Sequence, residues 1–501
     1  MFRSVKSVLL SLAFLSAFSA VAAIDSFPLL QNPWYVARSA HFYLYSCAPR
    51  TEVAKVAARL EQFREAYASL AGTASVASPP ILVIVFPDHA SMLPYLPTHQ
   101  GKPASLTAFF RRGGDENLIV MPVGGDIGAT METIYHEYAH VLFRHNDPFW
   151  PLWLKEGMAE MYSTFALGEN RQVKIGRMIP RHVEWVTSSD LIPLRQLFSV
   201  NFDSPEYNER RHQGVFYAES WLLTHFLMTG NGPNRGQFGR MTALLREGQS
   251  PESAFTNAFG LSLTVMEDQL RRYAHQPHFN ELTLSVPRDL NGPRGLATRP
   301  ISRSEACFRL GDVLLRVGRV DAAEVLMHDA QAIDQKSALP WEGLGLIAAE
   351  RDKSSKALEY LDEAFHRGDG TFLSHYVYAR EKIKLTSDVS GRIETMDADI
   401  ARRVREELKK ALDLMPDFGP AHHMLGIVEL VQGGNFDFAE KEIRRAIELE
   451  PENLSYSFGL AQVQIHRSNF TGAKATLAQL RRPYVSSELR NQAEELLRKI
   501  N

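Results

Sequence analysis

The run Thr133–Leu142 reads TIYHEYAHVL, with His136 and His140 four residues apart and Glu137 between them. At about 100° per residue, a four-residue step leaves the two imidazoles only about 40° apart on an α-helix, so both reach one metal ion. Neutral imidazole is a good ligand for Zn²⁺, which lowers the pKa of a bound water to about 7, and a carboxylate beside that water takes its proton. Glu137 is spaced for that role. A catalytic zinc uses three protein ligands and keeps one position open. The segment WLKEGMAE (Trp153–Glu160) reads as the start of a second helix and offers Glu156, separated from His140 by fifteen residues, as the third ligand.

HEYAH followed by WLKEGMAE resembles the gluzincin metallopeptidases, and among them the peptidase MA-like family. The resemblance implies a zincin-like α+β domain, one zinc ion on His136, His140 and Glu156, and Glu137 as general base. It also implies that Glu160, one turn beyond Glu156, supports a ligating histidine from behind. The interval between the two motifs is slightly shorter than in the best-known members, which predicts a tight connection at Asn146, Asp147 and Pro148. Phe216–Leu227, FYAESWLLTHFL, is similar to a further segment of that family. Amide hydrolysis develops negative charge on the carbonyl oxygen, and a tyrosine hydroxyl near the metal is a suitable donor to it. Tyr217 is the candidate, with His212 and His225 behind it; for both histidines the alternative is a packed core residue. Phe149, Trp150 and Trp153 read as core beneath the metal-binding loop or as a pocket wall. A GxMEN-like anchor for a free α-amino group is missing upstream, so the cleft reads as that of an endopeptidase.

These residues need a scaffold, and the preceding stretch supplies one. Phe42–Tyr45 and the continuous apolar run Ile81–Phe86 predict strands, and Thr51–Leu70 predicts a helix with Val53, Val56, Leu60, Phe63 and Tyr67 along one stripe. Asn117–Val123 predicts a strand bordering the cleft, either an edge to which an extended substrate adds or an ordinary interior strand. Beyond Glu160 the chain reads as mainly helical to about His275.

At the N-terminus, Arg3 and Lys6 precede an apolar run, Val8–Phe18, and the small residues Ser19–Ala23. That order predicts a secretory signal peptide, residues 1–23, and an exported, periplasmic or secreted protein; an uncleaved anchor is the alternative. With a net charge of −3 over 501 residues and no basic stripe, nucleic acid is not an expected partner. The two cysteines, Cys47 and Cys307, allow one disulfide but no framework.

A chain of this length exceeds one hydrophobic core. Pro- and Gly-punctuated residues 277–301 read as a linker holding one strand at Leu282–Val286. Past it, Leu310–Gly311, Leu344–Gly345 and Leu425–Gly426 begin similar units, Gly459 follows, and the pairs Ala323/Ala330, Ala357/Ala364 and Ala439/Ala446 keep a seven-residue spacing. This pattern resembles tetratricopeptide repeats, with residues 371–416 stretched by an insertion. The expected organisation is a signal (1–23), the α/β part of a peptidase domain (24–125), its HExxH helix and helical part (126–276), the linker (277–301) and an all-α repeat solenoid (302–501). The function expected is zinc-dependent peptide-bond hydrolysis with a repeat scaffold for a protein partner. The alternatives are a non-catalytic periplasmic assembly protein working through its repeats, and a hydrolase of cell-wall peptide.

Overall fold

A computed structural model of the chain describes residues 28–71, 81–99, 102–113, 116–146, 149–208, 210–230, 235–287, 290, 296–387, 393, 395–482 and 485–500. The expected signal segment lies outside the described residues. The N-terminal region supplies strands β1 (Tyr35–Arg38), β2 (Phe42–Ser46) and β3 (Ile81–Phe86), a two-residue pair β4 (Thr98–His99) and β5 (Lys102–Pro103), then β6 (Phe109–Arg111) and β7 (Leu118–Pro122). Further along come β8 (Ala166–Leu167), β9 (Gln172–Ile175), β10 (Leu282–Ser285) and β11 (Ala297–Pro300). One sheet runs β11-β1-β2-β3-β7-β6, parallel through β2, β3 and β7 and antiparallel at its margins. Every residue of Ile81–Phe86 is buried, as expected of an interior strand packed on both faces.

Two helices cover one face. Helix α1 (Arg50–Ala71) lays Val53, Val56, Leu60, Phe63 and Tyr67 on the core, while a four-residue turn, α2 (His89–Met92), follows β3. Helix α3 (Ile127–Asn146) carries the HExxH run and buries Met131, Ile134, Tyr135, Tyr138, Leu142 and Phe143 at helical spacing. Phe63 stacks on Tyr135 at 4.6 Å, and Tyr138 accepts a hydrogen bond from Arg64 at 3.1 Å. With one face fixed in this way, His136, Glu137 and His140 face away from the deepest core.

After α4 (Leu152–Ser163) and the strands β8 and β9 the chain is helical, through α5 (Pro180–Ser188), α6 (Leu194–Leu197), α7 (Pro205–Asn208), α8 (Arg210–Thr229), α9 (Arg235–Arg246), α10 (Pro251–Phe259) and α11 (Leu263–Ala274). The C-terminal portion is a solenoid of tetratricopeptide-like helix pairs. These are α12 (Arg303–Arg316) with α13 (Val320–Ile333), α14 (Leu339–Glu350) with α15 (Ser354–Arg367), α16 (Phe372–Lys384) with α17 (Ala398–Leu414), α18 (Gly419–Val431) with α19 (Phe436–Leu449), and α20 (Leu454–His466) with α21 (Phe470–Gln479). A last helix, α22 (Ser487–Lys499), follows them.

Small residues set the closeness of these pairs. A Cβ at Gly311 would lie 2.7 Å from Met327 Cε, and one at Gly345 would lie 2.7 Å from Leu361 Cγ, both on the second helix of their own pair. Gly459 differs, since its nearest neighbour is His423 Nε2 of the preceding pair at 2.9 Å. The insertion falls between α16 and α17, at residues 385–397, part of which lies outside the described residues.

Of the two readings of the strand at Asn117–Val123, the structure shows the interior one: β7 is flanked by β3 and β6, and β6 is one edge of the sheet, with β11 at the other. At three residues β6 is too short to show a period. Residues 277–301 are more than a linker: β10 pairs with β9, and β11 extends the main sheet beside β1, matching Ala297–Pro300 with Tyr35–Arg38. The solenoid is also joined to the α/β region through a shared core. The sheet face opposite α1 and α3, with Leu82, Ile84, Phe86, Leu118 and Val120, packs on Phe308, Leu310, Val313 and Leu314 of α12. Cys47 and Cys307 are free thiols. Among the described residues, no helix is long and apolar enough to cross a membrane.

Candidate metal centre

Helices α3 and α4 cross so that three expected ligands converge. His140 Nε2 lies 3.2 Å from His136 Nε2 and 3.2 Å from Glu156 Oε2, and His136 Nε2 lies 3.4 Å from the same oxygen. Such spacings match the edges of a tetrahedron whose ligands stand about 2.0–2.1 Å from a central zinc ion, roughly 3.3–3.4 Å. Glu156 Oε2 is buried and makes no hydrogen bond, its two histidine contacts falling outside hydrogen-bond geometry. A donor set of two imidazoles and a carboxylate with one orphaned oxygen fits a zinc ion. The side chain of Glu156 is 4% exposed and that of His140 25%, so the cluster opens on the His140 side.

Helix α4 is placed by its burial. Pro151 precedes it in an extended conformation, and Trp153 stacks on Phe198 at 5.2 Å. Trp150 packs on Phe143 at 5.5 Å. Both tryptophans are therefore core. Phe149 lies under the Arg482 guanidinium at 5.7 Å. Of the connection expected to be tight, Asp147 and Pro148 lie outside the described residues. Gly157 brings α4 against α8, since a Cβ there would collide with Thr224 Oγ1 and the Ser220 carbonyl.

Glu160, one turn from Glu156, faces the back of the cluster. Its Oε1 is 3.5 Å from His136 Nδ1, and its Oε2 is 3.1 Å from His182 Nε2 on α5. Electrostatics follow from this crowding. Burial alone would depress the His136 imidazole, but Glu160, Glu156 and Glu137 outweigh it and lift the group to about 9. Burial pushes Glu156 up, but His140 and His136 override it and hold the carboxylate at about 2. Glu160 is likewise held below the usual carboxylate range against burial, chiefly by His136 and His182. A cation at the cluster meets carboxylates already ionised.

Tyr217 on α8 stands beside the cluster, its ring 6.1 Å from that of His136. Burial, followed by the Glu156 carboxylate, raises its hydroxyl well above the ordinary tyrosine value, which keeps the proton on oxygen as a donor requires. Tyr207 on α7 stacks on Tyr217, with rings 6.2 Å apart and 30° from parallel. His225 is core: Nδ1 meets Tyr273 Oη at 2.8 Å, Nε2 meets the Gly176 carbonyl at 3.0 Å, and burial lowers it to about 4. The side chain of His212 lies outside the described residues. Glu137, next to His136 on α3, lies close enough for its carboxylate to act on His136 and Tyr217, and it also lines a pocket of about 310 Å³ with Phe109, Phe110, Arg111 and Thr133. Tyr207 and His182 are the functional candidates that sequence reading missed. Neither lies within a helical turn of a recognisable motif.

The class defined here is a chain with an N-terminal α/β region, a two-histidine, one-glutamate cluster and a tetratricopeptide-like solenoid. No known protein family matches the chain as a whole or in part. It is similar to cellulose synthase 1 operon protein C of Komagataeibacter xylinus, 22% identical over 187 residues, or 37% of this chain. The match spans 14% of that protein's length. Solved structures similar to it include YrrB, described as a TPR protein with an unusual peptide-binding site, at 15% identity and a TM-score of 0.31. That likeness covers 38% of this chain and 90% of the other. TTC0263, a thermophilic TPR protein of Thermus thermophilus, is 22% identical with a TM-score of 0.30, covering 39% and 98%. PilW, a type IV pilus biogenesis factor, is 17% identical with a TM-score of 0.31, covering 38% and 82%.

Proposed function

We propose that this chain is an exported zinc-dependent endopeptidase of the HExxH…E type, with a zincin-like catalytic region joined to a protein-binding repeat array. The observation that supports this most is the spacing of 3.2–3.4 Å among His136 Nε2, His140 Nε2 and Glu156 Oε2. A zinc ion bound by these three residues supplies a Lewis acid that polarises a peptide carbonyl and makes water acidic near neutrality. Glu137 takes the proton of the attacking water and passes it to the leaving amine nitrogen. The Tyr217 hydroxyl donates to the carbonyl oxygen as charge develops there, with Tyr207 stacked behind it. Glu160 fixes the ring of His136 through Nδ1 and is itself fixed by His182. The free edge of β6 captures the backbone of an extended substrate beside Glu137.

Glu137→Gln tests the reading. The variant is expected to fold, to hold zinc and to hydrolyse casein at least about 100-fold more slowly than the wild type. Wild-type rates in a zinc-loaded Glu137→Gln protein would count against it.

A second reading, a scaffold acting through the solenoid, rests on a pocket of about 350 Å³. Tyr376 and Arg380 of α16, His423 and Met424 of α18, and Asn453 and Tyr456 before and on α20 line it. First helices of three successive pairs thus share one recess of a size suited to a peptide segment. Full phenotypic rescue by Glu137→Gln would favour this reading.

A further inference from the structure

Beyond its first helix pair the solenoid meets the catalytic region twice more. Glu452, in the turn that leads into α20, pairs through Oε1 with Arg112 Nη2 at 2.7 Å. Arg482, just past α21, lies over the Phe149 ring at 5.7 Å, and its Nη2 is 2.9 Å from where a Cβ at Gly248 would stand. These contacts fall on separate segments of the catalytic region: the end of β6, the connection between α3 and α4, and the connection between α9 and α10. The C-terminal helix pairs are therefore held against that region instead of trailing from it.

The first of these contacts joins two cavities. Arg112 directly follows Arg111, which lines the pocket beside Glu137, and Glu452 directly precedes Asn453, which lines the recess shared by α16, α18 and α20. With about 3.8 Å between successive Cα atoms, a short extended segment spans from one to the other. The recess has its own chemistry. Tyr456 stacks on His423 with rings 4.6 Å apart and 30° from parallel, and its hydroxyl is already bonded to Glu450 Oε2 at 3.0 Å. Burial lowers the His423 imidazole to about 4, so that wall is a neutral ring near neutral pH. Tyr376 is braced edge-on against Phe418 at 5.0 Å, and Arg380, its Nε donating to Glu381 Oε1 at 2.9 Å, stands half-exposed at the rim. With the Met424 thioether, these walls offer ring faces, a sulfur and a guanidinium, all of which favour a flat aromatic guest.

We propose that this recess docks an aromatic side chain of the same extended polypeptide whose scissile bond lies at the metal cluster, so that the partner of the repeats is the substrate itself. This rests on the hydrolase reading and deepens it. The Arg112–Glu452 pair keeps recess and cleft together, and a good substrate carries an aromatic residue several positions from the bond that is cut.

Calorimetric titration of the full-length, zinc-loaded protein tests this with acetohydroxamate and with hydroxamates that carry a Gly-Ser spacer of about 4, 8, 12 or 16 residues ending in Trp or in Ser. At the best-matched spacer the Trp compound is expected to bind at least about tenfold more tightly than its Ser counterpart, because both sites are engaged at once. Met424→Trp fills the recess and is expected to remove that gain, leaving zinc content and acetohydroxamate affinity unchanged. Where Met424→Trp fails to fold, Arg380→Glu gives the same expected pattern, since an anion at the rim repels a ring face. Equal affinities of the Trp and Ser compounds at every spacer, or a gain that survives both variants, would overturn the proposal. So would a Trp peptide without the hydroxamate that binds the recess while no linked compound gains, which would make the recess a site for a separate partner. Failure of zinc-loaded protein to bind even acetohydroxamate would instead bring down the hydrolase reading, and the recess's role in it.

Discussion

His140 Nε2 and Glu156 Oε2, on two different helices, stand 3.2 Å apart with the carboxylate oxygen buried and free of hydrogen bonds. Burying a carboxylate in this way costs several kcal/mol unless a compensating charge is present. Two imidazoles supply part of that charge, and a bound cation would supply the rest.

The packing beneath Glu156 gives a first prediction. Gly157 leaves no room for a methyl group, whose carbon would lie 2.8 Å from the Ser220 carbonyl carbon. Because the obstacle is backbone, Gly157→Ala must push α4 off α8. An unfolding free energy lower by about 1–3 kcal/mol is expected in urea titration, together with weaker zinc retention against a chelator. Unchanged values of both would show that the helix contact is looser than described.

Glu160 gives a second. It lies within 3.5 Å of His136 Nδ1 and 3.1 Å of His182 Nε2 without touching the open side of the cluster. Glu160→Gln keeps the shape and removes the charge. Zinc affinity, measured by competition with a chromogenic chelator, is expected to fall about 10–100-fold, while the melting temperature of the zinc-free protein changes little by comparison.

Glu219 gives a pH dependence. It is fully buried, its Oε2 accepts from the Ile192 N–H at 2.7 Å, and burial, reinforced by Glu267, pushes it up to about 8. Between the ordinary carboxyl range and that value, the folded chain holds a proton that the unfolded chain has released. Stability is therefore greatest below the unfolded pKa and falls as pH rises toward about 8, by up to about 1.4 kcal/mol per pH unit from this one group. Chemical denaturation at pH 5, 6.5 and 8 is expected to show a decline that Glu219→Gln flattens.

The shared core between sheet and solenoid gives a fourth. Deleting residues 302–501 exposes Leu82, Ile84, Phe86, Leu118 and Val120 on one sheet face. The remaining fragment is expected to aggregate or to bind a hydrophobic dye strongly, whereas a freely linked domain would remain soluble and fold.

Much of the molecule was legible because its signals are local. The HExxH helix shows its buried stripe from Met131 to Phe143, the strand Ile81–Phe86 is a continuous apolar run, and small residues mark the helix pairs at Gly311, Gly345 and Gly426. What escaped reading depends on chain segments meeting across space. The pairing of Ala297–Pro300 with Tyr35–Arg38, the seating of Phe308 and Leu310 on the sheet, and the approach of His182 to Glu160 leave no periodic trace. Tyr207 was hidden for another reason. It sits on a four-residue helix, too short to carry a period, and its role comes only from stacking on Tyr217.

Metal content tests the central claim most directly. Purified wild-type protein, dialysed against excess Zn²⁺ and then metal-free buffer, is expected to retain close to one zinc per chain. Folded His140→Ala and Glu156→Ala variants treated alike are expected to retain little. A folded wild-type protein that holds no zinc, or variants that hold as much as it does, would contradict the account.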